Sequence, residues 1–90
     1  MRIDKYLKVS RIIKRREVGK ELALNQRLLI NGKVAKPSSE IKVGDEISIG
    51  FGHRTIKVRV REVRESASKA EAFEMYELLQ EEKQEIEEKD

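Results

Sequence analysis

Apolar residues in the first third of the chain recur every three or four positions. Ile3, Tyr6 and Leu7 form one set, with Val9 nearby, and Val18, Leu22 and Ala23 form a second. Such spacing places each set on one side of an α-helix. The two sets are out of register. After Ile12 and Ile13 a continuous helix needs an apolar residue near position 16 or 17, where the chain has Arg16 and Glu17. The pattern predicts two short helices, over residues 3–10 and 15–24, joined through Ser10 to Lys14. Asn25 and Gln26 end the second, since Asn tolerates the left-handed conformation common there.

The period then changes from helical to alternating. In RLLINGKVA, Asn31-Gly32 stands between two apolar runs, and both residues accept the positive φ of a type I′ hairpin turn. Pro37-Ser38-Ser39 reads as a loop. Ile41 and Val43 alternate, Gly44-Asp45 turns the chain, and Ile47, Ile49 and Phe51 alternate again. Gly50, Gly52 and His53 suggest a further turn. Ile56, Val58 and Val60 follow, with Lys57, Arg59 and Arg61 on the opposite side. Val63 is out of phase, so that strand ends or bulges near residue 61. After Ser66-Ala67-Ser68, residues Ala70 to Lys89 read as a helix, with Phe73, Tyr76, Leu79, Lys83 and Ile86 along one stripe.

The resulting order, α-α-β-β-β-β-α, is an α+β domain with a small, largely antiparallel sheet. The expected core comprises Leu7, Val18, Leu22, Leu28, Ile30, Ile47, Ile49, Ile56 and Val58. The chain divides into a body over residues 1–65 and an acidic C-terminal helix and tail over 66–90.

Composition narrows the function. Ninety residues suit one domain, and the absence of cysteine leaves no disulfide framework or thiolate metal site. No apolar run has the length of a membrane span or the form of a signal peptide, which predicts a cytoplasmic protein. His53 is the sole histidine, in an expected turn, and no nucleophile and base, phosphate loop or metal-loop spacing is present. An enzyme, a cofactor and a metal are therefore not expected.

Charge is informative. Residues 1–70 hold 18 Lys and Arg against 8 Asp and Glu, a net +10, whereas residues 71–90 hold 2 against 9, a net −7. Eight cations fall in the first 20 residues: Arg2, Lys5, Lys8, Arg11, Lys14, Arg15, Arg16 and Lys20. Packing two helices through their apolar stripes leaves these on the outside, where they repel one another. A phosphate backbone relieves that repulsion and releases counterions. Lys14-Arg15-Arg16 also stand where the second helix begins, and unpaired backbone N–H groups at a helix start favour anions.

RNA suits the inventory better than DNA. The second helix carries no Asn, Gln or Ser set for reading base edges in a major groove. Aromatic platforms are sparse, with only Tyr6, Phe51, Phe73 and Tyr76, mostly at apolar-stripe positions. Recognition of folded RNA by shape and phosphate remains. Lys57, Arg59 and Arg61 are a second candidate stripe, or simply the wet side of a sheet whose cations pair with cross-strand or tail Glu residues.

RIDKYLKVSRIIKRREVGKEL followed by RLLINGKVAKPSSEIKVGDEI resembles the S4 RNA-binding domain. Arg2-Ile3-Asp4, Arg16, Asn31-Gly32 and Val43-Gly44-Asp45-Glu46 stand at its pattern positions, over about residues 2–51. Within that superfamily the chain resembles the ribosome-associated heat-shock branch, nearest the stand-alone ribosome quality-control type, through FGHRTIKVRV and AFEMYELLQEEK. The resemblance implies an S4-type fold, with two short N-terminal helices packed on a small sheet plus a C-terminal helix. It implies a monomeric, non-enzymatic protein that binds large-subunit rRNA and peptidyl-tRNA. It also implies a partner, an RqcH-type factor that adds C-terminal alanine to stalled chains. Arg16 and Arg2 lead the expected phosphate contacts, followed by the other six cations, with Lys33 and Lys36 in the hairpin loop as secondary ones. Asp4 is expected to orient neighbouring cations or cap the first helix. The chain departs from the common pattern at Arg15, a usual hydroxyl position, at Gly19, usually Ala, and at Asn25-Gln26, where glycines are common.

Overall fold

The structure, a computed structural model, describes residues 1–83. Two helices, α1 (Ile3–Val9) and α2 (Arg16–Leu24), precede β1 (Leu28–Ile30), β2 (Lys33–Val34), β3 (Glu46–Gly50) and β4 (Arg54–Val60). A single helical turn, α3 (Lys69–Ala72), then leads to β5 (Tyr76–Lys83). The five strands form one antiparallel sheet in the order β2-β1-β3-β4-β5.

Alternation along the strands decides which side is covered. Leu28, Ile49 and Ile56 lie in one cross-strand row, and Ile30, Ile47 and Val58 in the next. They join Ile3, Tyr6 and Leu7 of α1 and Ala23 of α2 in a single apolar cluster, so the helices cover this side. The other side shows Ser48 beside Lys57 and Glu46 beside Arg59 to water. Tyr6 is wholly buried, and its hydroxyl donates to the Met75 carbonyl at 2.6 Å, tying α1 to the turn before β5. Burial, with Tyr76 and Glu62 nearby, pushes the Tyr6 hydroxyl well above its ordinary pKa.

Both helices end in the same hydrogen-bond pattern. Ile12 N–H donates to Leu7 C=O and Arg11 N–H to Lys8 C=O; Arg27 N–H donates to Leu22 C=O and Gln26 N–H to Ala23 C=O. These paired bonds stop a helix and need a left-handed residue just past its end. Arg11 at φ 64° and Gln26 at φ 61° take that role. The expectation for Asn25 is thus corrected by one residue, since Asn25 stays at φ −94°.

The Asn31-Gly32 hairpin forms as expected, with φ of 51° and 85°. It also grips the Gly44-Asp45 turn. Asn31 Nδ2 donates to Asp45 Oδ1 at 3.1 Å, and Asn31 Oδ1 accepts from Glu46 N–H at 2.9 Å. Asp45 Oδ2 accepts from Lys42 N–H at 2.9 Å. Burial alone raises the Asp45 carboxyl, but the Lys42 N–H, the Asn31 amide and the Lys42 ammonium together hold it below the usual carboxylate range.

Three expectations need correction. The helix predicted over Ala70 to Lys89 shrinks to α3, held by a reciprocal cap between Ser68 and Glu71. Tyr76–Lys83 pairs instead along the whole of β4. Helical spacing of Phe73, Tyr76 and Leu79 was a coincidence of short range; pairing with β4 satisfies backbone groups on an edge that would otherwise stay open. A register shift in that pairing leaves Leu79 as the extra residue, which is why the segment never alternates cleanly. The part of the predicted helix beyond Lys83 lies outside the described residues. In the core, Val18 is 38% exposed rather than buried, and Leu22 and Ile30 are half-buried. Finally, Ile41 is buried and Val43 exposed, but they form no strand; the segment is fastened by an Arg2–Glu40 bridge and by Ile3 N–H donating to Ser39 C=O.

Candidate nucleic-acid interface

The centre of the basic surface is a buried acid. Asp4, in the first turn of α1, has no exposed surface, yet its carboxylate meets two guanidinium groups. Arg2 Nε and Nη2 donate to Oδ1 and Oδ2 at 3.1 and 3.0 Å, a forked pair. Arg16 Nε lies 3.4 Å from Oδ1. Asp4 therefore orients Arg2 and Arg16, and it does not cap α1: the preceding Arg2 carries no side-chain cap bond. Each arginine side chain stays about half exposed, at 42% and 46%.

Gly19 lies where α2 comes close to α1. A Cβ there would stand 3.0 Å from Ile13 Cδ1 and 3.4 Å from the Cα of Asp4. This close packing lies one turn after Arg16, next to its contact with the Asp4 carboxylate.

The other sequence-predicted cations are spread over several places. Arg15 and Arg16 stand at the start of α2, Arg15 extended at φ −132°, and Lys20 lies one turn beyond Arg16 on the same side. Lys8, Arg11 and Lys14 line a hollow of about 370 Å³ together with Glu65, Ser66 and Ala67. Lys8, Lys14, Arg15 and Lys20 are exposed and make no ion pair among the described residues. Lys5 is engaged by Glu65, whose carboxyl it holds below the usual range. Arg11 Nη2 donates to Ala67 C=O at 3.4 Å. Lys36 is brought beside Arg2 and Asp4, because Asp4 N–H donates to Pro37 C=O at 3.4 Å. Lys33 sits apart, exposed at the start of β2.

Sequence reasoning missed the Glu65–Ala67 segment, which supplies the far wall of the hollow. Nothing in its composition signals that role, because tertiary packing brings it there.

The second stripe resolves toward pairing. Glu46 takes Arg59 at 3.1 Å and Lys57 at 3.7 Å, Glu77 takes Arg59 at 3.3 Å, and Glu81 takes Arg54 at 3.3 Å. Cross-strand and β5 carboxylates thus occupy much of the sheet's positive charge. His53 is exposed in the β3–β4 turn, and no group of three or more His, Cys, Asp and Glu among the described residues has a metal-holding arrangement. No helix of the described residues is long and apolar enough to cross a membrane.

Comparison with known proteins bears on this surface. Residues 1–47 match the S4 domain. The chain is 51% identical over 83 residues to the RQC P-site tRNA stabilizing factor of Bacillus subtilis (strain 168), spanning 92% of this chain and 96% of that protein. It is 51% identical over 81 residues to the protein of the same name from Streptococcus pneumoniae (strain ATCC BAA-255 / R6), spanning 90% and 92%. Among solved structures, the trimeric structure of Vibrio cholerae Heat Shock Protein 15 superposes with a TM-score of 0.81 at 25% identity, over 88% of this chain and 81% of that one.

Proposed function

The chain belongs to the S4-domain family, and on that premise we propose that it is an RNA-binding ribosome quality-control factor. In this reading it binds large-subunit rRNA and the peptidyl-tRNA held there, and supports C-terminal alanine tailing by an RqcH-type factor. It acts without catalysis, as a cytoplasmic, ribosome-associated monomer. Relatives named for stabilizing the P-site tRNA support the setting, at about half identity over nearly the whole chain.

One observation carries the reading. A wholly buried carboxylate holds two half-exposed arginines in fixed positions, and unpaired cations continue from them along both helices. A buried charge is costly unless paired. Arg2 and Arg16 compensate Asp4 from two helices while staying about half exposed, which is a useful construction for gripping phosphate oxygens. Arg2, Lys5, Lys8, Arg11, Lys14, Arg15, Arg16, Lys20, Lys33 and Lys36 are the proposed contacts.

The test is ribosome fractionation of wild type and an Arg2→Ala, Arg16→Ala double variant from cells with stalled translation. Wild type is expected with large subunits that retain tRNA, and the variant at the top of the gradient. A variant that still sediments with subunits overturns the site. Normal alanine tails in cells lacking the protein overturn the tailing role while leaving RNA binding intact.

A further inference from the structure

Phe73 is the feature that the basic surface does not absorb. Its ring is 65% exposed, at the end of α3, and Leu78 beside it on β5 is 52% exposed. They are not isolated. With Ile56 they floor an open trough of about 480 Å³ between the α1–α2 turn and the β4–β5 edge. One wall is Arg11, and the other is the Arg54–Glu81 ion pair. Arg11 also lines the hollow that holds Lys8 and Lys14, so its side chain borders both trough and hollow.

This shared border sets the chemistry of an occupant. The hollow offers three cations, and the trough offers aromatic and aliphatic side chains with a guanidinium donor beside a carboxylate acceptor. A nucleotide taken out of its stack has matching parts: phosphate, flat base, and a hydrogen-bonding edge. Nearby carboxylates are already engaged by arginines. Glu74 lies 3.8 Å from Arg64, Glu77 3.3 Å from Arg59 and Glu81 3.3 Å from Arg54, which lowers their repulsion of a polyanion. Arg11 is fixed on both sides: its backbone is locked at φ 64° by the helix-stopping bonds, and its guanidinium is held by Ala67 C=O.

We propose that the trough receives one unstacked nucleotide of the bound RNA, with its base on the Phe73 ring and its phosphate among Lys8, Arg11 and Lys14. The proposal rests on the RNA-binding reading and adds a structural preference to it: RNA with an extruded base over uninterrupted duplex.

The test uses two RNA hairpins, one fully paired and one with a single unpaired 2-aminopurine in the stem. Wild type should bind the bulged hairpin about tenfold more tightly and raise its fluorescence as the base leaves its neighbours. Phe73→Trp should keep the preference. Phe73→Ala and Phe73→Leu should lose it, with affinity for the paired hairpin unchanged, which shows that the fold and phosphate contacts survive. Equal wild-type affinity for both hairpins overturns the trough alone. A preference kept in Phe73→Leu also overturns it, because the aromatic ring is then not what holds the base. If neither hairpin binds, or Arg2→Ala with Arg16→Ala leaves binding unchanged, the underlying reading falls as well.

Discussion

Arg11 and Gln26 hold positions that a glycine would fill with less strain. Each stops a helix with positive φ, yet they are expected to respond differently to the same substitution. Gln26→Gly should stabilise the protein by about 0.5–1 kcal/mol, seen as a rise of a few degrees in Tm, without changing RNA affinity. Arg11→Gly should give a similar gain in stability but weaken RNA binding several-fold. Parallel effects at the two sites would mean that Arg11 is only a helix stop. Asp45 carries a pH dependence of known sign. Its folded carboxyl lies below the usual range, so its contribution to stability is fully present above its unfolded pKa of about 3.9 and is lost as pH falls through the lower folded value. Urea unfolding from about pH 5 to pH 2 should show this loss, and Asp45→Asn should flatten that segment of the curve. Asp4 has a positional role. Asp4→Asn keeps the size of the side chain but removes the charge that fixes two arginines. RNA affinity should drop by roughly the tenfold that one charge-assisted hydrogen bond represents. Far-UV circular dichroism should stay native-like; unchanged affinity would show that Arg2 and Arg16 reach phosphate without being held.

At the scale of elements, what was legible followed the strength of local signals. Both helices, the Asn31-Gly32 hairpin, and the β3 and β4 alternation could be read because each is encoded within a few residues. So could the ten cations as candidates, because charge is written directly in the chain. The relation of Arg2 to Arg16 through Asp4 was anticipated only as a role for Asp4 near cations; the close helix approach at Gly19 beside it depends on tertiary packing. β5 was illegible for the opposite reason. Its residues, YELLQEEK, favour strands weakly, and the partner that makes them a strand lies about 20 residues earlier. Misreading β5 as a helix also hid the trough, since a helical Phe73 would have packed inward. The strand assignment makes a direct prediction. Gln80→Pro places a residue without an N–H opposite Lys57, and should destabilise the protein by more than 1 kcal/mol in urea titration. Glu82→Ala, on the same strand, should cost a few tenths at most. Equal effects would show that the backbone ladder of β5 contributes nothing.

Across the whole molecule, charge is segregated and then partly folded back on itself. The helices carry cations that are largely free or gathered round one buried acid, while the sheet's cations meet Glu46, Glu77 and Glu81. Two of those three acids come from β5, so an edge strand of the sheet pairs with its cations while most of the helical cations make no ion pair among the described residues. In the proposed reading, this arrangement directs a polyanion to one side of a protein whose overall net charge is only +3. Attraction that is uniform over the surface would bind RNA in many orientations; pairing on the sheet suppresses the unproductive ones. Glu77→Gln with Glu81→Gln tests this directly. Arg54 is then freed, while Arg59 keeps Glu46, so binding to unstructured poly(U) should tighten and the log–log salt slope should steepen by roughly 0.7 for the one new contact. The preference for structured RNA should fall in step, because the helical contacts are unchanged while a competing surface has been exposed. If affinity for poly(U) and the salt slope both stay at wild-type values, the sheet's cations are positioned away from any RNA, and the β5 carboxylates serve the strand pairing alone.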